Sequence, residues 1–426
     1  MKTNRKVVLA YSGGLDTSVC IRWLAEAGWR VIAFCCEVGQ GAAGAKGSAA
    51  TRLSAEDFDS VKKRALQCGA EKVIVQDLRA PFAREFVLPA LKAGAVYEGK
   101  YLLATALSRP LIAKALAETA SREKAAAVAH GCTGKGNDQV RLEVSLRILN
   151  PKLKIIAPVR EWELKSRQEE VEYLKRRKMP QPPKKDSRFS IDQNLWGISI
   201  ESGPLEDPWT EPPANAYRWT LDPAKSKPKA QTVSIDFERG VPVAVNGRQA
   251  PLLELIRQLN RTGAEHGVGR SDLMEDRLVG IKSREIYEAP AATILHTAHR
   301  ELEQLTLDRE MLAFKEMISQ RYARMIYDGL WFTPLKSALD AFIESSQARV
   351  SGTVRIKLYR GNCIPVGRRS PYSRYAKALA TYEGNDLFDQ KAAAGFITLW
   401  GLPYVPSSSR KRGSDSRIRG NDKSSQ

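Results

Sequence analysis

Histidine is scarce in this chain, at four residues in 426. His296 and His299 share a helix face with no third ligand near them in sequence, which argues against a zinc centre. The six cysteines (Cys20, Cys35, Cys36, Cys68, Cys132, Cys363) form no Cys-x-x-Cys pair and no even framework, so they read as reduced, mostly buried thiols. No run of about eighteen apolar residues occurs and the N-terminus has no apolar signal core, so a soluble cytoplasmic protein is expected, without a membrane partner. No aromatic residues interleave with a basic stripe. The formal charge of +19 therefore reads as a solvated basic surface rather than a nucleic-acid site. The segment after residue 405 supplies only +4 of it, six Lys/Arg less two Asp.

What is present is an alternation. Strand-like runs at Lys6–Ala10, Val31–Cys36, Lys72–Asp77, Ala125–His130 and Lys154–Val159 are separated by helical patterns at Thr17–Ala27, Glu56–Cys68 and Ser108–Ser121. A fourth helical pattern, Ser166–Lys178, follows the last strand. This predicts an α/β fold with a doubly wound parallel sheet, its ligands at the carboxyl ends of the strands. The Gly/Ala-rich stretch from Gly39 to Thr51 reads as a flexible loop, and Pro180–Pro183 as a break into a second, α+β domain. In that domain Val233–Phe237 and Val241–Val245 alternate like antiparallel strands. Leu252–Asn260 and Ala291–Gln320 read as helices, and Leu205–Pro228 as an anchored proline-rich loop. From Pro406 onward, Ser, Arg, Lys, Gly and Asp dominate and predict a disordered basic tail. The expected divisions are 1–178, 179–385, a C-terminal segment 386–405 and the tail 406–426.

Two glycine-rich motifs follow predicted strands. In the first, Ser12-Gly13-Gly14-Leu15-Asp16-Thr17-Ser18, backbone N–H groups at a helix N-terminus suit a phosphate. Ser12, Thr17 and Ser18 would add hydroxyls, and Asp16 is left between capping the helix and holding a metal ion. The loop lacks the Gly-Lys-Ser/Thr of a Walker motif and resembles the pyrophosphate loop of the ATP pyrophosphatases. The second motif, His130-Gly131-Cys132-Thr133-Gly134-Lys135-Gly136-Asn137-Asp138-Gln139-Val140-Arg141, gathers a hydroxyl, an amide, a carboxylate and a guanidinium able to grip a zwitterion.

Together with Asn194-Leu-Trp196, Leu205–Trp209, His266–Arg270, Lys282–Arg284 and Ile286–Glu288, these blocks resemble the argininosuccinate synthase family, in its order and over roughly residues 5–398. The resemblance implies a Rossmann-like ATP pyrophosphatase domain followed by a synthetase/multimerisation domain. It implies a ligase of arginine biosynthesis that joins citrulline to aspartate through citrullyl-AMP, with ATP and Mg²⁺ as cofactors and no metal ligand from the side chains. By position, Ala10, Tyr11, Ser12, Gly13, Gly14, Leu15, Asp16, Thr17, Ser18, Cys36 and Gly131 would hold ATP. Thr133, Asn137 and Asp138 would hold aspartate. Tyr101, Asn137, Arg141, Ser190, Ser199, Glu275 and Tyr287 would hold citrulline, Arg141 taking its carboxylate and Glu275 its ammonium.

The chain departs from the family at Ala106, where a serine is usual, at Cys36 in place of alanine, and in a longer stretch after Gln40. Gly401-Leu-Pro403 and Pro406 interrupt the C-terminal arm that embraces a neighbouring subunit. The homo-oligomer, a tetramer by resemblance, is thereby left open to be a dimer. Two other functions stay open: an RNA-modifying adenylating enzyme on the same sheet, and a non-catalytic anion-binding homologue.

Overall fold

A computed structural model describes residues 5–40, 56–181, 188–383 and 386–406. The expected basic tail, beyond Pro406, and the loop expected from Gly39 to Thr51, beyond Gln40, lie outside the described residues.

The N-terminal sheet is parallel, with strands β1 (Lys6–Ala10), β2 (Arg30–Glu37), β3 (Lys72–Asp77), β4 (Ala127–His130) and β5 (Lys154–Ile156) in the order β3-β2-β1-β4-β5. Its three central strands are apolar on both sides because both faces are covered there. Val8, Ile32 and Phe34 pack with Phe82, Phe86, Leu111 and Leu116 on one face. Val7, Leu9 and Val31 pack with Cys20, Ile21 and Leu24 on the other. The covering helices include α1 (Leu15–Glu26) and α2 (Glu56–Gln67) on the second face, and α3 (Ala104–Arg122) on the first. The order reverses between β1 and β4, where Ala10 pairs with His130. Both glycine-rich loops therefore leave the sheet side by side at its switch point, the usual place for a ligand in such a sheet.

Several predicted bounds move for physical reasons. Helix α3 begins at Ala104, four residues before the expected Ser108, and carries Pro110 inside it. The strand expected to Val159 stops at Ile156, because Pro158 opens a short helical turn. The second motif runs straight into an unforeseen helix, α4 (Asn137–Leu149), so Asn137, Asp138 and Arg141 project from its first two turns. It is followed by α5 (Arg167–Arg176), which packs against α1.

The second half supplies two antiparallel sheets. Strands β6 (Ser190–Asn194), β7 (Gly197–Glu201), β11 (Arg270–Asp276) and β12 (Lys282–Glu288) form one in the order β11-β12-β7-β6. The other takes β8 (Gln231–Glu238), β9 (Val241–Val245), β10 (Arg248–Gln249), β13 (Gly352–Tyr359) and β14 (Asn362–Arg369), in the order β10-β9-β8-β13-β14. Here Val233, Ile235 and Phe237 point into the same core as Val8, as the alternation predicts. The single helix expected over Ala291–Gln320 is two, α7 (Pro290–Thr306) and α8 (Arg309–Tyr327), with α6 (Leu252–Glu265) before them. The break falls at Leu307, and the Asp308 carboxylate caps the second helix by accepting the Met311 N–H at 2.9 Å.

The β11-β12-β7-β6 sheet has two unlike faces. Ile198, Ile200 and Ile286 are buried under Leu205, Ala216 and Trp219 of the proline-rich loop. That loop is anchored by the buried Glu288 carboxylate, which accepts the N–H groups of Arg218 (2.6 Å) and Thr220 (2.7 Å). The cross-strand register places Ser190, Asp192, Ser199, Glu201, Glu285 and Tyr287 together on the opposite face.

Residues up to Ser373 form one compact unit and those from Arg374 a second. The second contains helix Gln390–Gly401, capped by Asp389, with Phe396, Ile397, Leu399 and Trp400 exposed. Among the described residues, no helix is long and apolar enough to cross a membrane.

Candidate active site

The first loop is shaped by its own side chains. Gly13 adopts φ +76°, and a Cβ there would stand 2.9 Å from Val61 Cγ2 on α2, so a larger residue is excluded twice over. Gly14, extended, is the N-cap of α1 and no side chain caps that helix. Asp16 therefore stands inside the first turn rather than at the cap. The Ser18 hydroxyl donates to the Gly14 carbonyl at 2.7 Å and lies 3.2 Å from the Tyr11 hydroxyl, while Thr17 Oγ1 donates to the same carbonyl at 3.4 Å. Ser18 is fully buried and Tyr11 nearly so; Ser12 is the exposed hydroxyl of the loop. Burial pushes the Glu170 carboxyl of α5 up to about 8, with the Asp16 charge adding to the rise.

The second loop is held from behind. His130 Nδ1 accepts the Cys132 N–H at 3.2 Å, which leaves the ring proton on Nε2 to face Glu143 Oε1 at 3.1 Å. This bond to His130, together with Arg160, holds the Glu143 carboxyl down at about 2. Gln139 Nε2 donates to the Gly134 carbonyl at 2.5 Å, and Arg160 donates to Gln139 Oε1 at 2.8 Å. Gly131 presses on α1: a Cβ there would stand 2.9 Å from Thr17 Cγ2. The two loops thus touch. Cys36 is the penultimate residue of β2, and its carbonyl accepts from Gln40 Nε2 at 3.0 Å. Thr133 is exposed on the second loop.

From α4 the polar side chains reach across to the second half. Asn137 Nδ2 donates to the Tyr327 hydroxyl at 2.7 Å, and its Oδ1 accepts the Leu278 N–H at 2.9 Å. Asp138 receives Arg109 Nη2 at 2.6 Å and Arg141 Nη1 at 3.1 Å. Burial works to raise the Asp138 carboxyl, but the two guanidinium groups outweigh it and hold it at about 2. Arg141 donates from Nε to the Tyr327 carbonyl at 2.8 Å and lies over that tyrosine's ring. Its Nη2 is buried without a protein partner, an unfilled donor that suits an incoming carboxylate.

Glu275, 2 % exposed, is the centre of the far side. The hydroxyls of Tyr287 and Tyr327 both donate to it. Tyr287 also lies 3.0 Å from Glu285 Oε2, and its ring stacks on Tyr101 with centroids 4.2 Å apart. The Tyr101 hydroxyl accepts the N–H groups of Thr105 and Ala106 at 3.1 Å. Ser199 is buried opposite Tyr287, and Ser190 is exposed on the same sheet face. Behind them Arg277 bridges Glu201 and Glu285.

The structure thus brings Asn137, Asp138, Arg141, Tyr101, Glu275, Tyr287 and Ser199 into one polar crevice. Ser18 is turned into the loop's own scaffold. Sequence reasoning missed Tyr327, Arg109, Asp192, Arg277 and Glu285. Three of these were findable, because once β6 and β12 are assigned, period-two alternation puts Asp192 and Glu285 on the face of Ser190 and Tyr287, and Arg277 follows from the hairpin. Tyr327 lies beyond the expected helix end at Gln320, and Arg109 near the start of the helix expected from Ser108, where no local pattern marks a site.

Residues 6–180 match the family model of the arginosuccinate synthase N-terminal HUP domain, and residues 189–405 that of the arginosuccinate synthase C-terminal domain. The chain is 52% identical over 403 residues to the argininosuccinate synthase of Caldanaerobacter subterraneus, covering 94% of this chain and 95% of that one. It is 55% identical over 400 residues to that of Geobacillus kaustophilus, covering 94% and 95%. Two family models that between them span both halves, and relatives more than half identical over nearly the whole chain, lead to one conclusion: this chain belongs to the argininosuccinate synthase family.

Proposed function

We propose that this protein ligates citrulline and aspartate at the expense of ATP, giving argininosuccinate, AMP and pyrophosphate in arginine biosynthesis. A ureido carbon is a poor electrophile because both nitrogens donate into it. Attack of its oxygen on the α-phosphorus forms citrullyl-AMP, releases pyrophosphate and converts that oxygen into a leaving group. The aspartate amine then forms the N–C bond, and the C–O bond breaks with its electron pair on AMP. One proton leaves the ammonium before attack and a second leaves the nitrogen as the adduct collapses, both passing to water or the AMP phosphate. Catalysis by this chain is mainly positioning and charge stabilisation.

In this reading, residues Ala10 to Thr17, with Cys36 and Gly131, seat the nucleotide, while Ser18 braces the loop from behind. Thr133, Asn137 and Asp138 hold aspartate. Tyr101, Asn137, Arg141, Ser190, Ser199, Glu275 and Tyr287 hold citrulline, the spare Arg141 nitrogen meeting its carboxylate. The neighbouring acids Asp16 and Glu170 fit a Mg²⁺ ion arriving with the triphosphate, which when bound would neutralise phosphate charge. Residues 1–178 act as the nucleotide-binding part and 179–385 as the synthetase part of a cytoplasmic homo-oligomer. The exposed apolar side of helix Gln390–Gly401 supports association; the solution mass of the protein and of a variant ending at residue 385 tests it.

One observation carries the proposal: two glycine-rich loops leave adjacent parallel strands in contact, Gly131 against Thr17, opposite a crevice with an unfilled arginine donor. The deciding assay is pyrophosphate release from ATP with citrulline, aspartate, both, or bulk transfer RNA. Citrulline-dependent release followed by aspartate-dependent product is expected. Release driven by RNA, or no release at all, would overturn the assignment.

A further inference from the structure

The Arg109 side chain is 15% exposed and belongs to α3, yet its guanidinium reaches two carboxylates on different elements. Nη2 donates to Asp138 Oδ2 at 2.6 Å, at the start of α4, and also to Asp192 on β6, while Nη1 donates to Ser108 Oγ at 3.1 Å. Arg141 binds the second oxygen of Asp138. Two guanidinium groups and two carboxylates thus form a closed cluster of zero net charge. Cys132 faces it from the loop after β4, its thiol pushed up to about 12 by burial and therefore protonated. Glu275, Tyr101 and Tyr327 bear on the far side of Arg141.

A neutral cluster has a chemical consequence for the second step. Attack requires an amine with a free lone pair, whereas an isolated carboxylate beside it favours the ammonium form. We infer that Arg109 is a positioning residue of that step: by bonding Asp138 and Asp192 at once, it fixes the amine's acceptor and cancels the charge that would keep the amine protonated. This role for Arg109 rests on the ligase reading above. It goes beyond that reading because it assigns no ligand contact to Arg109, only control of the group that makes one. Arg109 also ties α3, on the parallel sheet, to β6 of the β11-β12-β7-β6 sheet, beside the Asn194 Nδ2 bond to the Ala104 carbonyl at 2.7 Å.

The test follows single-turnover conversion of preformed citrullyl-AMP by aspartate against pH, beside citrulline-dependent pyrophosphate release without aspartate. In Arg109→Gln the acid limb of the aspartate step is expected to move up by about one pH unit, with a roughly tenfold rate loss at neutral pH. Pyrophosphate release should stay within about twofold. Arg109→Lys, which keeps the charge, should return the limb to its original position. Asp192→Asn leaves the arginine to Asp138 alone and should move the limb the other way, an outcome independent of whether Arg109→Gln folds. An unmoved limb in both Arg109→Gln and Asp192→Asn, or equal losses in both half-reactions with no rescue by lysine, would overturn the inference. Absence of citrulline-dependent pyrophosphate release in the unaltered protein would instead count against the ligase reading itself.

Discussion

Gly131 stands so close to Thr17 that a methyl group on its Cα would lie 2.9 Å from the threonine Cγ2. The neighbour is the first turn of α1, not the free end of a flexible chain, so relief requires the two loops to part. Gly131→Ala is expected to cost about 1–3 kcal/mol in overpacking and to raise the ATP KM roughly tenfold or more, measured by initial rates and thermal unfolding. Adding Thr17→Ser removes the offending methyl and should recover most of both losses. An unchanged ATP KM in Gly131→Ala would mean the two loops do not close on the nucleotide together.

Tyr327 provides the second prediction. Its hydroxyl accepts from Asn137 at 2.7 Å and donates to the buried Glu275 carboxylate. Tyr327→Phe keeps the ring under Arg141 and on Tyr97, whose centroid is 3.7 Å away, and deletes only those bonds. A bond to a charged group contributes about 1.5–3 kcal/mol, so the citrulline KM should rise between roughly 10- and 150-fold. The ATP KM should move by less than about twofold. A rise in the ATP KM of equal size would place the hydroxyl in general folding rather than in citrulline recognition.

Tyr327 also shows where the sequence stops being legible. The parallel sheet could be read because each strand is a short apolar run bracketed by turn chemistry, and the loops because glycine has few other reasons to cluster there. Tyr327 lies beyond Gln320, where the expected helix ends, and only the fold continues that helix and shows that its hydroxyl crosses to Glu275. The break at Leu307-Asp308 was hidden for a related reason: apolar spacing continues through it, and the cap that ends it is a single aspartate. Ser18 was read as a phosphate donor because hydroxyls near such loops often are. Its burial against Tyr11 depends on β2 and α2, which no local pattern reveals. The polar sheet face was recoverable in principle, since it needs only strand assignment and alternation.

The acid cluster around Glu275 makes stability depend on pH in a definite direction. Burial, reinforced by Glu275 and Glu201, pushes Glu285 up to about 8 from an ordinary value of 4.5. Between those values the folded protein keeps a proton that the unfolded chain has released. Stability from this group is therefore fully present below pH 4.5, is lost as pH rises towards 8, and stays level above that. Glu285→Gln should flatten that part of the profile, so the variant's advantage in urea unfolding should grow from pH 5 to 8. Glu143 and Asp138, both held near 2, act oppositely and weaken the fold as pH falls from about 4 to 2. A constant difference between Glu285→Gln and the unaltered protein across pH 5 to 8 would show that Glu285 ionises normally.

Ala106 tests how the chain tolerates its departure from the family serine. It is fully buried, and its N–H already donates to the Tyr101 hydroxyl at 3.1 Å. That hydroxyl lies 2.5 Å from Thr105 Oγ1, so the neighbouring threonine supplies a polar group beside the missing one. A restored hydroxyl would add one neutral bond, worth about 0.5–1.5 kcal/mol. Ala106→Ser is accordingly expected to lower the citrulline KM by roughly two- to tenfold while leaving the ATP and aspartate KM values in place. Because Ala106 meets the crevice through Tyr101, the gain should disappear in a Tyr101→Phe background, where the added hydroxyl loses the group it would help to orient. Persistence of the full gain in that background would mean the serine acts on citrulline directly, without Tyr101 as intermediary.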